Sequence, residues 1–134
     1  MCRFDGFFEP EMIKTRPVVV LAKHKHNNKL VTVVPLSTTA PGKEEAYHHR
    51  LSANPSPGEN KDLPVWAKCD MVYTLSTDRL ELFRIRTRQG RSIANAHVND
   101  EDFEAIREGV RVALSLRQLQ PQPTVQTQPT PTPM

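Results

Sequence analysis

The chain has 134 residues, 37% of them hydrophobic and 25% charged, with 18 Lys and Arg against 15 Asp and Glu for a net charge of +3. That length supports one domain with its own core rather than two. No run approaches the roughly 18 apolar residues of a membrane span, and Met1-Cys2-Arg3-Phe4 does not open a secretory leader.

Cys2 and Cys69 make neither a disulfide framework nor a zinc quartet, and they read as free thiols of a reducing cytoplasm. Zinc-protease, thiol-redox and Gly-rich phosphate-binding motifs are missing, so no metal and no cofactor is expected. The basic balance suits a polyanionic partner without demanding one.

Pro17-Val18-Val19-Val20-Leu21-Ala22 is short, continuous and β-branched, the pattern of a buried strand. Leu30 to Leu36 is a second, and the polar stretch Lys23 to Lys29 between them predicts an antiparallel pair. Pro35 has no N–H for a ladder, which predicts a strand end or an edge there. Ala46 to Leu51 is a weaker strand, and Ser52 to Pro64 is a loop. Cys69, Met71, Tyr73 and Leu75 alternate within Val65–Leu75, which predicts one strand. Ser76 to Leu80 reads as a capped helical turn. Phe83–Thr87 and Arg91–Ala94 flank Arg88-Gln89-Gly90, a hairpin with Gly90 at positive φ. From Asn99 the period changes: Phe103, Ile106, Val110, Ala113 and Leu114 share one helical face, with Asn99 or Asp100 as cap. Gly109 inside that helix should cost about 1 kcal/mol relative to Ala. Residues 1–120 form the expected domain. Residues 121–134 hold five of the twelve prolines and no charge, a disordered Pro/Gln/Thr-rich tail.

Two segments carry chemistry: Glu11 to Val20, where Glu11 precedes Arg16-Pro17 by five residues, and Val33-Val34-Pro35-Leu36-Ser37-Thr38-Thr39. Together with Lys68 to Leu80 and the C-terminal helix, they resemble the MazF/PemK family of toxin–antitoxin ribonucleases over about Phe4 to Leu116. The resemblance implies a mainly β, SH3-like small barrel with a C-terminal helix, of the MazF/PemK/CcdB type. It implies a homodimer that binds RNA in an interface groove and cuts single strands without metal, and a cognate antitoxin protein that blocks the groove. No membrane partner is expected. Two departures stand out. Met71-Val72-Tyr73 replaces the Gln-x-Arg of many members. The chain also opens close to the first motif, so either the family's first strand is short here or the true start lies upstream.

Metal-free RNA cleavage uses the substrate's 2′-hydroxyl as nucleophile. The protein must take one proton, stabilise the phosphorane and protonate the leaving 5′-oxygen. Glu11 is the candidate base. Arg16 offers a fork of donors matched to phosphate oxygens, and Ser37 and Thr38 can hold the phosphate in register. Lys14, His48, Asp70, Tyr73 and Arg79 complete the candidate RNA-binding set. Most also have an ordinary structural reading: Arg16 as a surface cation at a strand entry, Glu11 as a solvated loop acid, Ser37 and Thr38 as turn formers, His48 as a satisfied histidine and Asp70 in an ion pair, while Tyr73 and Trp66 either stack on bases or belong to the core. The arginines of the 83–94 hairpin alternate, so one of its faces is basic, either a solvated edge or a phosphate-tracking patch. The alternatives to the ribonuclease are a non-catalytic nucleic-acid or peptide binding module on the same barrel, or a CcdB-like gyrase poison. The neutral tail argues against the last.

Overall fold

The computed structural model describes residues 1–116, so the expected tail lies outside the described residues. Among the described residues, seven strands and one α-helix follow in chain order: β1 (Val18–Lys23), β2 (Leu30–Ser37), β3 (His48–Arg50), β4 (Trp66–Lys68), β5 (Tyr73–Ser76), β6 (Phe83–Thr87), β7 (Gly90–Ala94) and α1 (Asp100–Ala113). β1, β2, β4 and β3 form one antiparallel sheet in that order, with β5 also on β2; β6 and β7 form a separate ribbon. The molecule is mainly β with one C-terminal helix, the expected fold class, although its two sheets do not join into a closed barrel.

β2 is the spine because its two faces feed two cores. Val31 and Val33 pack with Cys2, Phe4 and Leu75. Val34 and Leu36 pack with Val19, Leu51, Val65, Ala67, Cys69 and Ile106. Side chains alternate across a strand, so a strand buried on both faces reads as continuously apolar. That is why Val33 to Leu36 shows no polar alternation. Pro35 lies inside β2 rather than at its end, and the reason is geometric. The Leu36 N–H points to β1, where it donates to the Pro17 carbonyl at 2.8 Å. An N–H at 35 would face the opposite edge, in the gap between β5, which ends its pairing at Val33, and β4, which begins at Leu36. No ladder bond is lost.

The single strand expected over Val65–Leu75 is two. β4 and β5 are separated by a turn at Cys69 and Asp70, where the Met71 N–H donates to the Lys68 carbonyl at 2.9 Å. Cys69 is fully buried there and its thiol is pushed up to about 12, chiefly by burial and then by the adjacent Asp70. Opposite it sits Gly109 of α1. A Cβ at 109 would stand 2.7 Å from both the Cys69 sulfur and the Tyr47 carbonyl oxygen. The helix tolerates a poor helix former because nothing larger fits.

The capped turn over Ser76–Leu80 is a short 3-10 helix, Thr77–Arg79, with the Ser76 side chain accepting from the Asp78 N–H. The hairpin forms as expected, with Gly90 at φ 113°. α1 is capped by Asn99, whose side chain accepts from the Asp102 N–H. Ile106 is buried, with Phe103 and Val110 packed beside it. The helix stops at Ala113, so Leu114 falls beyond it and is half exposed. Ser115 takes φ 56°, the Ser115 N–H reaches back to the Val112 carbonyl and the Leu116 N–H to the Arg111 carbonyl. This is the left-handed helix ending usually made by Gly.

The N-terminal residues form no full strand. Cys2 makes single bridges to Arg16 and to Leu80, and Phe4, Phe7 and Tyr73 stack with centroids 5.3–5.4 Å apart.

Candidate functional site

The β1–β2 register determines which residues meet. Val18 faces Pro35, Val19 faces Val34 and Val20 faces Val33. Continuing that register two residues outward sets Arg16 opposite Ser37, on the face that carries Val33 and Pro35. Both line one cleft of about 510 Å³, together with Thr38, Asn54, Glu59, Glu81 and Arg84. Three of the four candidate catalytic residues, Arg16, Ser37 and Thr38, therefore share a cavity.

Their states differ. Ser37 is 7% exposed, and its Oγ accepts from the Thr39 N–H at 3.1 Å, which leaves its own O–H free to donate. Thr38 is exposed. The Arg16 main chain is tied to Cys2 in both directions, at 2.7 and 3.0 Å. Its side-chain Nε is buried and has no hydrogen-bond partner among the described residues. A buried unpaired donor costs about 1–3 kcal/mol.

Glu11 does not line this cleft. Its carboxylate accepts from the Phe8 N–H at 2.8 Å, while its own N–H donates to the Phe8 carbonyl at 2.7 Å, so it closes a local turn. Tyr73 fastens that loop: its hydroxyl accepts from the Met12 N–H at 3.1 Å. Arg79 holds the N-terminal segment, donating to the Arg3 and Asp5 carbonyls at 3.0 and 2.8 Å and lying 5.0 Å over the Phe7 ring. Lys14 is exposed. Asp70 is exposed in its turn, and among the described residues no ion pair joins it to Arg16. His48 Nδ1 accepts from the Glu45 N–H at 2.9 Å, and its ring stacks on Tyr47. None of these five lines the cleft.

Arg84, one of the alternating hairpin arginines, also lines the cleft. Trp66 is the cross-strand partner of Ser37 but does not line it. A larger cleft of about 610 Å³ adjoins, lined by Val18, Val20, Leu82, Phe83, Val98 and Phe103.

A second polar cluster looks catalytic and is not in either cleft. Asp102, 5% exposed, accepts from His49 Nε2 at 2.9 Å, the Ser52 hydroxyl at 2.7 Å and the Ser52 N–H at 3.1 Å. Asn99 Nδ2 in turn donates to the Ser52 Oγ at 3.0 Å. Burial pushes the Asp102 carboxyl upward, but the hydrogen bonds from His49 and Ser52 outweigh it and hold the group below its ordinary value. The Ser52 hydroxyl donates to the acid, not to the histidine. This cluster pins the start of α1 to β3 and the following loop. Among the described residues, no group of three or more His, Cys, Asp or Glu is arranged to hold a metal ion, and no helix is long and apolar enough to cross a membrane.

Comparison with known proteins adds a family. Residues 1–114 match the model of the PemK-like, MazF-like toxin of type II toxin-antitoxin system. The uncharacterized protein YifN of Escherichia coli (strain K12) is 40% identical over 95 residues, 65% of this chain and 59% of that protein, so the matched region spans about three-fifths of the relative's length. Among solved structures, the Mycobacterium tuberculosis toxin MazF-mt6 superposes with a TM-score of 0.54 at 22% identity, covering 81% of this chain and 94% of that one. That likeness concerns the fold.

Proposed function

From the chain's membership of the PemK-like, MazF-like toxin family, we propose that it is an endoribonuclease that cleaves single-stranded RNA in the cleft lined by Arg16, Ser37 and Thr38. The observation that carries this reading is the unpartnered, buried Arg16 Nε beside that cleft.

The substrate's 2′-oxygen attacks the adjacent phosphorus, a P–O bond forms to it, and the P–O5′ bond breaks. The products are a 2′,3′-cyclic phosphate and a free 5′-hydroxyl. Charge builds on the non-bridging oxygens during attack, and Arg16, whose main chain is held by Cys2 and whose Nε is buried without a partner among the described residues, stabilises it with its guanidinium N–H donors. The Ser37 hydroxyl donates to the same phosphate, with Thr38 beside it. Glu11 takes the proton from the 2′-hydroxyl, which requires its carboxylate to leave the Phe8 N–H and its loop to carry it into the cleft, and solvent supplies the proton to the leaving 5′-oxygen. Trp66, opposite Ser37, offers an aromatic face to an unstacked base. Lys14 and Arg79 add positive potential near the N-terminal segment. The remaining parts of the reading are a cytoplasmic homodimer and an antitoxin that competes with RNA.

The test is incubation of wild type, Arg16→Ala and Glu11→Gln with single-stranded RNA in EDTA, followed by analysis of product ends. Wild type is expected to yield cyclic phosphate ends, and each variant to lose about 100-fold or more in rate. Intact RNA with wild type, or equal cutting by Arg16→Ala, would overturn the assignment. RNA retained without cleavage would favour a binding module on the same fold.

A further inference from the structure

The β6–β7 ribbon has two unlike faces. Phe83 and Ile85 are half-buried, and Ile85 lies against the 52–64 loop at Gly58. The other face follows from the register. Arg84 and Arg86 alternate with those apolar residues, Arg91 stands directly opposite Arg86, and Ile93 stands opposite Arg84. All four are exposed, Ile93 at 66%, and Arg88 sits at the tip.

Among the described residues, none of Arg84, Arg86, Arg88 or Arg91 takes part in an ion pair. Like charges directly opposite each other on a ribbon destabilise it. An acid at 86 or 91 would be the simple remedy, and the chain has none there. The nearest cleft acids are Glu59 and Glu81, and Glu81 is engaged with Arg3 at 3.4 Å. The basic face is also continuous with the candidate site, because Arg84 lines the same cavity as Arg16 and Ser37. From Arg84 the next cation on that face is Arg86, about 7 Å further along the strand, a distance on the scale of one nucleotide step.

We propose that the exposed face of the β6–β7 ribbon, Arg84, Arg86 and Arg91 with Ile93 among them, holds the phosphates of the RNA segment that flanks the scissile bond. This rests on the ribonuclease reading of the cleft. The ribbon extends the site outward along the strand and raises affinity for RNA longer than the cleft can hold. Ile93 provides an apolar patch beneath a base while the arginines hold the backbone.

The test compares wild type, the double variant Arg86→Gln/Arg91→Gln and the charge-keeping Arg86→Lys/Arg91→Lys on full-length single-stranded RNA over a salt series. Arg84 is left in place because it lines the cleft. Both altered residues are exposed, so melting temperatures should match wild type or exceed it. The Gln variant is expected to raise KM about tenfold or more with kcat little altered, and to reduce the log–log salt slope of RNA binding by about 1.4, the value for two lost single-strand phosphate contacts. The Lys variant is expected to restore most of the slope. An unchanged KM and slope in the folded Gln variant would overturn the proposal while leaving the cleft reading intact. Wild type that binds RNA through these arginines but never cuts it would support the ribbon and overturn the cleft reading. Unchanged RNA binding with lost binding of polyglutamate would overturn the proposal in favour of an acidic polypeptide partner.

Discussion

The junction of α1 with β3 and the Arg16 cleft are opposites in how they treat polar groups. At the junction, Asp102, His49, Ser52 and Asn99 complete one another. In the cleft, Arg16 Nε has no partner among the described residues, and the adjoining ribbon sets two arginines face to face. A serine, a histidine and a buried aspartate invite a catalytic reading, yet the Ser52 hydroxyl and His49 Nε2 are already engaged on the aspartate that holds the start of α1. An engaged set stabilises the fold; an unengaged donor at a cavity is available to a ligand.

The contrast can be broken from the structural side first. Gly109→Ala should have the largest effect on stability, because its Cβ would meet a carbonyl oxygen and a buried sulfur at 2.7 Å; overpacking of this kind costs about 1–3 kcal/mol. Chemical denaturation would reveal it, and a stable Gly109→Ala would mean that α1 packs less tightly than described.

Asp102→Asn comes next, at about 2 kcal/mol, for a buried acid with charge-assisted bonds. The pH dependence has a definite sign. A carboxyl held below its unfolded value contributes stability above that value, about 4, and loses it as pH falls through the folded value. Wild type should therefore weaken below about pH 4, and Asp102→Asn should weaken less over that range. Identical acid profiles would remove Asp102 from the account.

The smallest expected effect is none. Residues 121–134, which carry no charge, are assigned to a tail outside the working domain, and deleting them should leave both melting temperature and RNA cleavage unchanged. Lost cleavage on truncation would place part of the site there.

Much of this was legible in the chain. β1, β2, the hairpin and α1 announce themselves because burial marks the sequence, as a continuous apolar run where both faces are covered, as in β2, and as period 2 or 3.6 where one face is. Arg16 and Ser37 were named together from the family resemblance, and the β1–β2 register shows that they stand opposite each other. The split of Val65–Leu75 was not legible, since the turn at Cys69 answers to Gly109, forty residues on. Nor was the end of α1, because Ser115 adopts the left-handed turn where a glycine would have signalled it. The role of Asp102 was not legible either, since its partners His49 and Ser52 lie about fifty residues away. Glu11 was legible as a loop acid, but whether a loop turns its carboxylate inward or onto its own backbone has no periodic signature. Tyr73 and Arg79 were legible as candidate substrate contacts, while their fastening of the N-terminal segment is set by packing that only the fold displays.

The most direct test sets Arg16→Ala beside Asp102→Asn, with the RNA cleavage rate and melting temperature of each measured at a temperature where both are folded. The account predicts that Arg16→Ala keeps its melting temperature and loses about 100-fold or more in rate, while Asp102→Asn melts lower and cuts at nearly the wild-type rate. Cleavage that survives in Arg16→Ala, or disappears in folded Asp102→Asn, would contradict it.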